Sequence, residues 1–510
     1  MEVKRELIES REYQIKIAEA ASKQNTLVVL PTGLGKSLIA LLIAEKRLKK
    51  YPDSKIVITA PTRPLASQHK QLFEKLTDLD EEEIGLITGK IKKEKRRELY
   101  EKYKIISTTP QCIKNDLKNG IFNFQDVSFL VIDEAHRAIK NYPYPFIAKK
   151  FMLQSKHPLI LALTASPGAT RERIDEICNN LFIKNVEIRT EVDEDVKKYI
   201  KKTRWEWVYV DLPKEFENIR KNLNEILNEK IKWLRNHGMI TRKKLTKKQI
   251  LLLQARLMER IYKNKSPILF ATLTNLAQIL KTEHALELIE TQDAEALANY
   301  LEKLKKSRKR SDKILMNNEK IKKVEIILSK IRNKKHPKLI KLISIIKEII
   351  SRNKNSKTIV FANYRDTVEK ICRELKENGI KTEILIGQAR RGRKGLSQKQ
   401  QIEILRRFSN LEFNVLCATS IGEEGLDIAQ VDYTIFYEPV PSEIRTIQRR
   451  GRTGRTMPGN VIFLITKNTR DEAYYWTAFQ KEKKMKRILR KLQTDKKLKV
   501  KKTLLDWVKY

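Results

Sequence analysis

Lys36 and Ser37 close the run Leu30-Pro31-Thr32-Gly33-Leu34-Gly35-Lys36-Ser37, a glycine-bearing turn between an apolar segment and an amphipathic one. Glycines let backbone N–H groups close on phosphate oxygens, and a helix N-terminus adds positive potential there. Thr32, Gly33, Leu34 and Gly35 would form the cradle. Lys36 would reach the β and γ phosphates of ATP, and the Ser37 hydroxyl would sit on Mg²⁺. Leu30 stands where the full pattern has its first glycine, so the loop taken alone also reads as a tight glycine turn. Asp133-Glu134-Ala135-His136 follows the apolar run Phe129-Leu130-Val131-Ile132 and favours the catalytic reading. Asp133 would hold the Mg²⁺ shell, and Glu134 would orient and deprotonate an attacking water. The competing reading, a solvated helix start capped by Asp133, loses weight beside a phosphate loop upstream.

A second set of groups lies far downstream. Gln448-Arg449-Arg450-Gly451-Arg452-Thr453-Gly454-Arg455 is an arginine-bearing helix start. Arg452 and Arg455 are three apart and can share a face. A guanidinium aimed at the γ phosphate stabilises charge that develops in the transition state, with about 10³–10⁵ in rate at stake. Arg449 and Arg450 also read as contacts to a nucleic-acid backbone. A triphosphate held by one domain and reached by arginines of another couples hydrolysis to domain movement, as in a motor. Thr419, in the run after Ala418, would touch phosphodiester; Gly425 would offer its N–H, and Asp427 a carboxylate for the ribose or the arginine pair. Arg11-Glu12-Tyr13-Gln14 precedes the phosphate loop. The Gln14 amide can pair with both edges of adenine and Tyr13 can stack on it, with Arg11 beside them; an ordinary helix start with a core tyrosine fits the same residues.

Elements must position these groups. Short apolar runs over 26–30, 56–60, 105–108, 129–132 and 159–163 alternate with helical patterns such as 36–49 and 64–76. That alternation predicts a parallel sheet with helices on both faces and ligands at the carboxyl ends of strands. After Trp205 the texture changes: 205–212 reads as one strand, and from 213 to 334 long charged helical patterns run with Gly238 as the sole glycine. Strand and helix alternate again from His336, with strands over 358–361, 382–386, 415–418, 433–437 and 461–465, then a helix over 471–492 and a basic tail. The expected architecture is α/β: domain 1 over 1–204, a helical insert over 205–335, domain 2 over 336–475, and a C-terminal helix and tail over 476–510.

Composition sets the class of partner. Of 510 residues, 106 are Lys or Arg and 63 Asp or Glu, a net charge of +43 that calls for a polyanion. The four cysteines, Cys112, Cys178, Cys372 and Cys417, form no CxxC pair. That argues against structural zinc and for a reducing cytosol. The first residues do not form a signal peptide, and no apolar run approaches the roughly 20 residues of a membrane span.

In this order, the motifs resemble those of the superfamily 2 helicases. The likeness runs through Arg11 to Gln14, Thr32 to Ser37, Ala60-Pro61-Thr62-Arg63-Pro64, Thr88-Gly89, Thr108-Thr109-Pro110-Gln111, Asp133 to His136, Thr164-Ala165-Ser166, Val360-Phe361-Ala362-Asn363, Thr419 to Asp427 and Gln448 to Arg455. Within that superfamily the chain is similar to the archaeal Hef and Fanconi anaemia M group, more distantly to RIG-I-like and Dicer helicases. Supporting stretches are His284-Ala285-Leu286-Glu287-Leu288-Ile289-Glu290-Thr291-Gln292 and Tyr437-Glu438-Pro439-Val440-Pro441-Ser442.

The resemblance implies two RecA-like motor domains flanking a helical insert that grips duplex or branched DNA. It implies that Pro61, Thr62, Arg63, Thr88, Gly89, Thr109, Gln111, Asn363 and Thr419 line the nucleic-acid track. Thr164 and Ser166 would couple the ATP state to domain closure, and His136 and Gln448 would bridge the domains at the nucleotide. It implies an ATP- and Mg²⁺-dependent DNA helicase of replication-fork repair, cytoplasmic and nucleoid-associated; the alternative is an ATPase stimulated by double-stranded RNA. The chain carries neither the ERK-type nuclease signature nor the helix-hairpin-helix pair of many Hef proteins, so the expectation is no intrinsic DNA cleavage and a nuclease partner in trans. Lys502-Thr503-Leu504-Leu505-Asp506-Trp507-Val508 resembles a sliding-clamp peptide with Leu504 and Trp507 as its plugs, or else an amphipathic helix packing on the body.

Overall fold

The computed structural model describes the chain except residues 10, 192, 200–202, 243–244, 264–265, 333, 388–394, 420–430, 441–458 and 496–510. Seven strands form the first sheet: β1 Thr26–Val29, β2 Lys55–Thr59, β3 Ile84–Ile87, β4 Ile105–Thr108, β5 Val127–Ile132, β6 Ile160–Thr164 and β7 Asn185–Ile188. All pair in parallel in the order β3-β4-β2-β5-β6-β1-β7. Helices cover both faces, so the central strands are largely apolar; all six residues of β5 are buried. The register aligns Val29 with Thr164 and Thr59 with both Thr108 and Ile132. Every strand therefore ends along one edge, and the chemical residues follow those ends.

The second sheet contains β8 Thr203–Val210, β9 Thr358–Phe361, β10 Thr382–Leu385, β11 Val415–Ala418, β12 Tyr433–Phe436 and β13 Gly459–Thr466. Its order is β10-β11-β9-β12-β13-β8, again parallel throughout. The architecture matches the sequence expectation of two parallel-sheet domains and a helical bundle, with two differences. The edge strands β3 and β7 lack the continuous apolar run by which the others were read: β3 carries Gly85 and β7 reads Asn-Val-Glu-Ile. The strand read at 205–212 does not open the helical insert. It is β8, paired along its whole length with β13, so the 204/205 boundary falls inside a strand of the second sheet. Local pattern identifies a strand but not the partner that completes it.

The bundle comprises Lys214–Asn236, Lys247–Lys263, Pro267–Thr291, Ala294–Lys305, Arg310–Met316 and Glu319–Ile331. Phe216, Ile219, Leu223 and Ile226 recur at helical spacing and meet Leu286, Ile289, Val324 and Leu328 in one core. Ion pairs fasten the bundle to the second domain: Glu290, paired within the bundle with Arg220 at 3.2 Å, lies 3.7 Å from Arg470, and Lys370 reaches Asp293. No helix among the described residues is long and apolar enough to cross a membrane.

The helix Arg470–Asp495 spans the two parallel-sheet domains. At its start Asp471 pairs with Lys338, both buried, and Tyr475 packs 5.1 Å from Phe463 of β13. At its far end Met485, Leu489 and Leu492 join the core of the first domain.

His336 caps the helix Pro337–Arg352, its Nδ1 accepting from Lys338 N at 3.2 Å. Burial, then the nearby Lys338 charge, pushes its pKa down to about 3. The unfolded chain protonates this histidine first as pH falls. Below about pH 6.5 the folded state therefore loses stability at up to about 1.4 kcal/mol per pH unit, until the folded group titrates. In His336→Asn, which retains a cap, the fall in melting temperature between about pH 6 and pH 4 should be shallower. Parallel melting curves for the two proteins would refute this.

Candidate active site and nucleic-acid track

The phosphate loop leaves β1 through Leu30, and Gly33 and Gly35 adopt φ of 83° and 77°. Those angles are left-handed and favour glycine. A Cβ on Gly35 would also lie 2.4 Å from Gln14 Nε2. Lys36 Nζ donates to Leu30 O at 3.1 Å, and the helix Lys36–Lys50 starts at once behind the loop. Its first N–H groups have no intrahelical acceptor and form an anion-binding end.

Tyr13 and Gln14 brace this loop. The Tyr13 hydroxyl donates to Leu34 O at 2.8 Å, and Gln14 Nε2 donates to the same oxygen at 3.1 Å. Gln14 Oε1 accepts from Arg11 N at 3.0 Å. Tyr13 is 0% exposed, so the structure corrects the stacking role: no face of its ring is open to a base, and the core-tyrosine reading holds. Both ends of the Gln14 amide are likewise engaged within the chain. Arg11 sits over the partly exposed Tyr199 ring at 4.7 Å, the surface position nearest in chemistry to a base platform.

Asp133 follows β5 and is 8% exposed. One oxygen accepts from Glu134 N at 2.8 Å, and the other faces His69 Nε2 at 3.0 Å. Tyr144 OH donates to the Asp133 carbonyl at 2.6 Å and fixes the backbone. Burial alone would raise the Asp133 pKa. The His69 hydrogen bond and charge, Lys36 and the Glu134 N–H outweigh it and hold the carboxyl below the usual range. Ser37 and Asp133 offer hard oxygen donors, and no cluster of three or more His, Cys, Asp or Glu among the described residues builds a closed metal cage. That donor set fits Mg²⁺, which takes one or two protein oxygens and completes its shell with water and phosphate.

Glu134 has φ 50°, a strained setting for a residue with a side chain. His136 Nδ1 lies 3.2 Å from the Glu134 carboxylate and 3.3 Å from the Thr164 hydroxyl. Thr164 Oγ1 accepts from Ser166 N at 3.2 Å, and Ser166 Oγ meets Met485 Sδ at 3.0 Å. Glu134, His136, Thr164 and Ser166 thus form a contact chain to the spanning helix.

The residues expected to line a nucleic-acid track lie on the other half of the same edge. Pro61, Thr62 and Arg63 follow β2, Thr109 and Gln111 follow β4, and Thr88 and Gly89 follow β3; these three strands are neighbours. Thr62 caps the helix Arg63–Leu76 and Thr109 precedes the helix Pro110–Lys118. Gln111 and Gly89 are exposed, while Thr88 is buried. In the second domain Asn363 and Thr419 follow the adjacent strands β9 and β11. Asn363 N donates to Glu438 Oε2 at 2.6 Å, and Thr419 N to Leu385 O at 3.2 Å. Gly425, Asp427, Gln448, Arg452, Arg455, Leu504 and Trp507 lie outside the described residues.

Sequence reasoning missed His69, Tyr144 and Met485. The pairing of β2 with β5 brings the helix after β2 beside the residue after β5, so strand adjacency was the only signal for His69. Nothing local marks Met485, which meets Ser166 across domains.

Residues 11–174 match the DEAD/DEAH box helicase family, and residues 337–457 the helicase conserved C-terminal domain. Residues 215–335 match a helical bundle described for a putative ATP-dependent RNA helicase. The chain is 44% identical over 491 residues to a putative ATP-dependent RNA helicase of Methanocaldococcus jannaschii, covering 96% of this chain and 62% of that protein. It is 34% identical over 475 residues to the ATP-dependent DNA helicase fml1 of Schizosaccharomyces pombe, covering 90% of this chain and 57% of that protein. The chain thus spans less than two thirds of either curated relative. Among solved structures, the Hef helicase domain of Pyrococcus furiosus is 46% identical with a TM-score of 0.74, over 94% of this chain and 100% of that one. A likeness that spans the whole of a solved Hef helicase domain places the chain in the Hef group of the superfamily 2 ATP-dependent helicases.

Proposed function

We propose that the chain is an ATP-dependent DNA helicase or translocase that acts on forked or branched DNA in replication-fork repair. The observation that carries this reading is the divided edge of the first sheet. The ends of β1, β6 and β5 hold the phosphate loop, Thr164 and Asp133, and the ends of β2, β4 and β3 hold the track residues. One rigid sheet therefore carries the nucleotide and a nucleic-acid backbone side by side. Bound Mg²⁺ would neutralise phosphate charge. Glu134 would take the proton of the attacking water, Lys36 would hold the phosphates, and Arg452 and Arg455 would reach them when the domains close. Closure and reopening around each hydrolysis would move the track along one strand. The exposed basic run Lys305, Lys306, Arg308, Lys309 and Arg310 would let the insert grip the branch.

The RNA in the name of the M. jannaschii relative favours a second reading, an ATPase stimulated by duplex RNA. Steady-state ATPase with forked DNA and with duplex RNA at matched salt separates the two. The proposal expects strong stimulation by forked DNA, and an affinity for it that falls steeply with salt as phosphate contacts release counterions. Greater stimulation by RNA would replace the DNA reading. A salt-independent affinity would remove the backbone track.

A further inference from the structure

One buried contact joins the two halves of the divided edge. His69 is 3% exposed and belongs to the helix Arg63–Leu76, which begins at the track residues Thr62 and Arg63. Its Nε2 lies 3.0 Å from Asp133 Oδ2. An ionised carboxylate only accepts, so Nε2 carries the hydrogen. Nδ1 is buried and has no partner. A side chain kept for packing alone would not leave a polar atom dry, because that costs free energy an aliphatic residue avoids. Here the unpaired nitrogen accompanies a single directed contact, to Asp133. The opposite oxygen of Asp133 is held by Glu134 N. Two donors on different elements therefore set the plane of the carboxylate.

The carrier of His69 matters equally. From Arg63 to His69 the helix rises about 9 Å, less than two turns, without a break. A shift at its first turn reaches His69 with little loss. The preceding strand β2 lies beside β5. Nucleic acid at one end of this helix and the catalytic carboxylate near its middle are thus one rigid element apart.

We propose that His69 is a positioning residue that sets the Asp133 carboxylate for Mg²⁺ and ties its orientation to nucleic acid held at Thr62 and Arg63. The metal half stands on the contact together with the reading of Asp133 as a Mg²⁺ ligand; the nucleic-acid half rests on the track reading given under Proposed function. His69 touches neither nucleotide nor water in this scheme and acts only through Asp133.

The test uses the full chain with His69→Leu and His69→Gln. Mn²⁺ affinity is read by electron paramagnetic resonance in the presence of a non-hydrolysable ATP analogue. Forked-DNA affinity is read by anisotropy, and ATPase with and without DNA by steady-state rates. Loss of such an outer partner weakens metal binding about 10-fold or more. His69→Leu should show that loss, together with a smaller DNA stimulation at unchanged DNA affinity. His69→Gln, which keeps an N–H donor of similar reach, should recover most of both. Wild-type Mn²⁺ affinity in a folded His69→Leu protein overturns the proposal. Weakened Mn²⁺ binding with an unchanged stimulation ratio overturns its nucleic-acid half. Should His69→Leu fail to fold, His69→Asn, too short to reach Asp133, takes its place in the same comparison. Failure of the unsubstituted chain to bind DNA would instead remove the track reading and leave the metal half standing.

Discussion

Glu134→Gln should lower ATP turnover by about 10²–10⁴-fold, the range expected for loss of a general base, while ATP and DNA affinities stay near those of the parent. Gln keeps the shape of Glu and removes only its basicity. The backbone favours this outcome. Glu134 is held at φ 50° between Asp133, fixed by Tyr144, and a short helical turn at Ala135–Arg137. Its neighbour His136 lies 3.2 Å from the carboxylate and remains hydrogen-bonded to Thr164. The substitution therefore leaves the contact chain towards Ser166 in place. Steady-state ATPase and binding of a fluorescent ATP analogue check both halves. Turnover at the parental rate would strip Glu134 of its role.

Lys338→Met should destabilise the second domain by about 3–5 kcal/mol, because it leaves the carboxylate of Asp471 buried and without its cation. Lys338 and Asp471 are 0% and 1% exposed. Besides Lys338, Asp471 accepts from the single amide Thr466 N at 3.3 Å among the described residues. One amide donor does not compensate a buried charge. The double variant Lys338→Met, Asp471→Leu should recover most of the loss, since two apolar groups of similar volume carry no desolvation penalty. Denaturant unfolding followed by tryptophan fluorescence reports on this region directly, for Trp205 and Trp207 pack on Phe463 in the same sheet. Equal stabilities for the single and double variants would show that the pair does not behave as a buried ion pair. The single variant should also weaken coupling between domains, because Asp471 anchors the helix that carries Met485 to Ser166.

What could be read from the sequence follows from how each feature is encoded. Central strands such as β5 are buried at every residue and apolar at all but Ser128, because helices cover both faces, and they were legible. So was the phosphate loop, where Gly33 and Gly35 announce backbone angles that other residues rarely adopt. The edge strands β3 and β7 were not, since Gly85 interrupts the first and Asn185 and Glu187 the second, leaving no continuous run. Tyr13 shows a different limit. Residue type names a chemistry, a stacking ring, but only packing decides whether the ring is reachable, and here the core encloses it. His69 and Met485 are illegible for a third reason. Each touches a residue distant in the chain, and the contact exists only once strands or domains have assembled.

The pairing of β8 with β13 bears on how the protein is made. On the ribosome β8 emerges early, yet its partner follows the entire helical bundle and the strands β9 to β12. At roughly 5–20 residues per second that delay is on the order of ten seconds or more. Through that interval Trp205, Trp207 and Tyr209 have no sheet to join, while the bundle can already close on its own core. The second motor domain thus completes late in synthesis, with an aromatic strand held in waiting ahead of it, and this is the stage at which a nascent chain would depend most on a chaperone.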